Sequence, residues 1–116
     1  MSQILSLVAL GGAIGSVLRY LMVAGIGAPI GTLAVNVLGS LAIGVVFVLT
    51  DTREGWQLFL ITGVLGGFTT FSAFSLDAVT LWERGDAAQA GLYVAASVFL
   101  SILALAFGAL IARSMT

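Results

Sequence analysis

The sequence has no cysteine and no histidine. Disulfides, thiol nucleophiles and the usual zinc sites are therefore excluded, and so is a histidine general base. It also lacks lysine, so its four basic residues are all arginine. Only 8% of residues are charged, where a soluble domain carries about a quarter. A net charge of −1 offers no basic face to nucleic acid. What is present instead is apolar: 60% of the 116 residues are hydrophobic and the mean hydropathy is +1.21. This is the composition of a protein embedded in membrane lipid. The N-terminus lacks a basic region and its apolar run is too long for a signal-peptide core, so no cleavable signal is expected.

A spanning helix needs about 20 apolar residues to cross about 30 Å of hydrocarbon. Four segments qualify, at roughly residues 4–24, 32–49, 56–82 and 87–112. They predict an all-α integral membrane protein, one four-helix domain over residues 1–116. The link after the first segment holds the only proline, Pro29. Asp86 is placed to cap the last helix. Trp56 and Trp82 suit the two membrane interfaces. A continuous helix between them would be about 39 Å long, more than the hydrocarbon needs.

The excess length falls where the sequence is least like a spanning helix, at Gly66-Gly67-Phe68-Thr69-Thr70-Phe71-Ser72-Ala73-Phe74-Ser75. Paired glycines weaken a helix by about 1 kcal/mol each. Thr69, Thr70, Ser72 and Ser75 can bond back to the main chain and open it. The third span is therefore expected to break at mid-membrane, offering freed carbonyls and hydroxyls inside a protein-covered cavity.

With four spans both termini share a side. Arg53 and Arg113 fall on that side and Arg19 and Arg84 on the other. Orientation normally follows an excess of basic residues. With two against two there is none, so the chain is expected to insert both ways and to form an antiparallel, dual-topology homodimer. Gly11-xxx-Gly15, Ser40-xxx-Gly44 and Gly63-xxx-Gly67 favour close helix packing.

Polar residues recur at helical spacing inside the spans. Asn36 and Ser40 share a face, as do Tyr93, Ser97 and Ser101, and Phe71 and Phe74 form an aromatic pair. Singly, each is also accounted for by helix packing. Together they outline a path that offers amide and hydroxyl donors and the positive edges of phenyl rings. Donors suit a small anion. Asp77 is the only acid in any span and lies past the break. A proton or cation relay would place a carboxylate at mid-membrane. Arg19 serves either as an anion attractant at a mouth or as a snorkelling anchor.

On these residues the chain resembles the CrcB/Fluc family of fluoride channels. Residues 11–20, 31–40 and 66–75 are similar to its three signatures. The resemblance implies an antiparallel dimer with two fluoride pathways in the inner (plasma) membrane. It implies fluoride contacts at Asn36, Phe71, Phe74, Tyr93, Ser97 and Ser101. It further implies a structural, non-transported sodium ion at the dimer interface, held by the backbone carbonyls of Gly66 and Thr69. No catalytic residue is implied, and the partners are a second copy, fluoride and lipid, with no nucleic acid. Two positions depart from the pattern: Leu105 stands where a hydroxyl can continue the polar track, and Asp77 where many members carry Glu. Two rival readings remain. A small multidrug-resistance-type antiporter would need a carboxylate in the first span, which has none. A non-transporting membrane subunit would use the polar residues only to join helices.

Overall fold

Hydropathy sets where the helices are, and small residues set which of them touch. The computed structural model describes residues 1–116. Helix α1 covers Ser2–Ile26 and α2 covers Ile30–Leu49. The third span, Glu54–Glu83, is in pieces. These are α3 (Glu54–Gln57), a π-helical stretch (Leu58–Leu65), α4 (Gly66–Phe68) and α5 (Phe71–Glu83). Helix α6 covers Ala87–Ser114. Four units are long and apolar enough to cross a membrane: Ser2–Ile26, Ile30–Leu49, Glu54–Glu83 and Ala87–Ser114.

Helix α1 packs along the π-helical stretch and α4, whereas α2 packs along α6. The first contact is backbone on backbone. A β-carbon on Gly15 would fall on the Val64 carbonyl, and one on Gly11 would lie 2.9 Å from the Gly63 α-carbon. The two glycine motifs of α1 and the third span thus meet each other. The third motif serves the other pair, because Gly44 rests against the main chain of Leu105 on α6. That contact gives Leu105 a packing duty through its backbone, whatever its side chain does.

The break falls one step later than the glycines suggest. Gly66 and Gly67 are both helical. Thr69 and Thr70 are extended instead, with φ/ψ of −85°/155° and −153°/124°. Gly67 is needed for proximity, since a β-carbon there would approach the Gly12 carbonyl to 2.7 Å. The π-helical stretch was not foreseen either, because its wider turn leaves the apolar pattern of a uniformly greasy segment unchanged.

Helix α5 turns back onto α6 through Gly85, whose φ is +86°. Phe74, Leu81, Ala90 and Tyr93 form the buried cluster between them. Asp86 takes the N-cap position of α6, but its side chain makes no cap bond, contrary to expectation. The turn is closed by the main chain instead: the Gly85 and Asp86 N–H groups donate to the Trp82 and Leu81 carbonyls. Elsewhere the large apolar side chains face outward, with only 18 of 116 residues buried. In water such a surface would aggregate, whereas lipid solvates it.

Candidate functional site

The break needs partners for its main chain, because lipid supplies none. Asn36, on α2, provides them. Its Oδ1 accepts from the Thr70 N–H at 2.7 Å and its Nδ2 donates to the Thr70 carbonyl at 2.9 Å. The Thr70 side chain then starts α5, its Oγ1 accepting from the Ala73 N–H at 3.1 Å. Thr70 Oγ1 also lies 3.2 Å from Ser72 Oγ. Thr69 and Ser75 bond back as the sequence suggested, their hydroxyls donating to the Leu65 and Phe71 carbonyls at 2.9 Å each.

Beside this junction an open groove of about 470 Å³ runs between α2, the break and α6. Asn36, Ser40, Gly66, Thr69, Thr70, Phe71, Phe74, Ser97 and Ser101 line it, with Ile43, Val98 and Ile102. No charged side chain is among them. The hydroxyl oxygens of Ser97 and Ser101 are buried and have no hydrogen-bond partner. Buried hydroxyls without partners are costly, which sets these two apart from the bonded hydroxyls of Thr69, Thr70 and Ser75. The N-terminal end of α5, which carries the positive end of its dipole, opens at the same place.

The ring centroids of Phe71 and Phe74 are 5.3 Å apart and their planes are inclined at 56°. Phe74 is 7% exposed and Phe71 76% exposed, so the groove is walled by one ring and open past the other. Tyr93 is the one candidate outside the lining. It is buried behind Phe74, with centroids 5.4 Å apart, and its hydroxyl donates to Asp77 Oδ2 at 3.2 Å. Sequence reasoning left Asp77 without a partner. The signal was available: Asp77 and Tyr93 lie eight residues either side of Gly85, which places them level in a helical hairpin. Arg19 and Leu105 do not line the groove.

No cluster of three acidic, histidine or cysteine side chains exists to bind a metal. Main-chain oxygens at the break are the remaining donors. The Thr69 carbonyl accepts no main-chain hydrogen bond. The Thr70 N–H, which would bond the Gly66 carbonyl in a continuous helix, goes to Asn36. Oxygens freed in this way suit a hard cation.

Comparison with known proteins gives a consistent picture. The family model described as "CrcB-like protein, Camphor Resistance (CrcB)" matches residues 6–109. The "Fluoride-specific ion channel FluC" of Rhizobium etli (strain CIAT 652) is 55% identical, covering 94% of this chain and 95% of the relative. The protein of that name from Roseobacter denitrificans (strain ATCC 33942 / OCh 114) is 53% identical over 96% of each chain. That from Agrobacterium fabrum (strain C58 / ATCC 33970) is 50% identical, covering 96% of this chain and 97% of the relative.

Proposed function

The chain belongs to the CrcB-like protein family, and from that premise we propose that it is a fluoride-specific ion channel that passively exports cytoplasmic fluoride and so limits its toxicity. It is a multi-pass membrane protein, in this reading of the inner (plasma) membrane, with residues 1–116 forming one channel domain. The observation that carries the reading is the uncharged groove at the break, with its buried, unpartnered Ser97 and Ser101 hydroxyls. Fluoride holds its water strongly. A conducting path must replace that shell with several donors while binding weakly enough for release. Asn36, the edges of Phe71 and Phe74, and the hydroxyls of Ser97 and Ser101 supply such donors along one groove. Tyr93 contributes from behind Phe74, by orienting that ring and holding Asp77.

The working unit in this reading is an antiparallel homodimer. The exposed ring of Phe71 marks a side of the groove that a second copy would close. The carbonyls of Gly66 and Thr69 from each copy would hold a structural sodium ion, which is not transported. Nothing in the path calls for catalysis, so the protein is assigned no enzymatic activity. The relatives' names and the uncharged groove favour this reading over a proton-coupled drug antiporter or a non-transporting subunit.

The test is fluoride efflux from liposomes containing only this protein, with chloride as the control anion. Fluoride efflux without chloride efflux is expected. Phe71→Ile and Phe74→Ile should each lower flux by roughly threefold to tenfold, the worth of a lost aromatic-edge contact, while the dimer stays intact. Unchanged flux in both variants would remove these rings from the path.

A further inference from the structure

Asn36 makes an unusual pair of bonds. In a continuous helix the Thr70 N–H would go to the Gly66 carbonyl and the Thr70 carbonyl would receive the Phe74 N–H. Here one side chain from another helix replaces both partners, at 2.7 and 2.9 Å. The exchange has a consequence upstream. With its helical donor diverted, the Gly66 carbonyl is released, next to a Thr69 carbonyl that accepts nothing from the main chain. It also occupies most of the amide. One of the two Asn36 N–H hydrogens and its amide oxygen are engaged at a single residue, leaving one hydrogen for the groove.

We infer that Asn36 is a positioning residue, which holds the third span open by occupying both main-chain groups of Thr70 and thereby frees the Gly66 carbonyl as a cation-binding oxygen, beside a Thr69 carbonyl whose helical donor, the Ala73 N–H, goes to Thr70 Oγ1. This rests on the cation site of the proposed channel, but assigns Asn36 a task other than ion contact. Residues that orient ligands without touching the ion commonly change metal affinity by about tenfold to a hundredfold when replaced.

The experiment uses the full chain in lipid nanodiscs. Residue-resolved amide exchange of the unaltered protein should show Thr70 protected although it lies outside any helix. Thermal unfolding is then followed in sodium chloride and in N-methylglucamine chloride for the unaltered protein, Asn36→Ser and Asn36→Asp. The aspartate keeps an oxygen for the Thr70 N–H but sets a second oxygen against the Thr70 carbonyl. Stabilisation by sodium is expected in the unaltered protein, and both variants should need at least about tenfold more sodium for the same shift. Exchange at residues 68–73 should rise in both. An unaltered protein whose Thr70 amide exchanges as fast as an exposed loop would overturn the inference without any variant. So would variants that lose flux but keep the sodium response and the exchange pattern, for Asn36 would then be an ion contact alone. An unaltered protein indifferent to sodium would overturn the cation site itself, while fluoride-selective efflux would leave the channel reading standing.

Discussion

The third span faces two different neighbourhoods. Its leading arm, residues 58–68, lies in a seam against α1 where glycine lets main chain touch main chain. Its trailing arm, α5, borders a groove shared with α2 and α6, where Asn36, Thr69 and Thr70 are hydrogen-bonded and the buried Ser97 and Ser101 hydroxyls have no partner. The seam has the character of a solved packing problem. The groove instead retains two buried hydroxyls with no partner in the protein. One helix could not serve both, because a straight rod keeps a fixed set of faces. The two extended residues Thr69 and Thr70 let the chain change neighbours at mid-span.

The comparison breaks most severely at Gly15. Any β-carbon there lands on the Val64 carbonyl, which is backbone and cannot rotate away. Overpacking a tight site typically costs about 1–3 kcal/mol, and more where only backbone can yield. Gly15→Leu is expected to prevent recovery of folded protein, read as loss of a monodisperse peak in detergent. A well-folded Gly15→Leu channel would show that the seam is loose and that the contrast with the groove is false.

A smaller change tests the junction between the two regions. Thr70→Val keeps the shape but removes the oxygen that caps α5 through Ala73. Losing such a cap costs about 1 kcal/mol. Thermal unfolding should shift accordingly, yet the break should persist, because Asn36 holds the Thr70 main chain and not its side chain. A much larger loss would make the side chain, and not the amide of Asn36, the main fastening.

The seam was more legible in the sequence than the groove. Span positions follow from hydropathy, and the motifs at Gly11, Gly15, Gly63 and Gly67 mark faces of close packing, while the structure shows which helices meet there. The break was legible in kind but not in place. Paired glycines and a hydroxyl cluster mark weakness, yet which peptide yields depends on Asn36, thirty-four residues away. The π-helical stretch leaves no trace in composition. Six of the twelve residues that line the groove share helical spacing in the sequence, but Tyr93 shares that spacing with Ser97 and still turns to Asp77. Periodicity fixes a face and cannot say which neighbour that face meets. Asp86 failed for a related reason: a capping residue competes with main-chain closure of a tight turn, and here the main chain wins.

The finest test lies in a single oxygen. Ser97 is 5% exposed and its hydroxyl has no partner. If the groove were a second seam, that hydroxyl would be helix glue, and Ser97→Ala would lower stability. If the groove is a path, the hydroxyl has no partner within the protein, and removing it relieves desolvation. Ser97→Ala is therefore expected to leave stability unchanged or raise it by less than about 1 kcal/mol. Fluoride flux should nonetheless fall, because the ion loses one of the donors that replace its water. Thermal unfolding and liposome efflux measured on the same preparation separate the two cases, since a packing role moves the first and a conducting role moves the second. A variant that unfolds more easily and conducts as before would make the groove one more contact between helices, held together as the seam is.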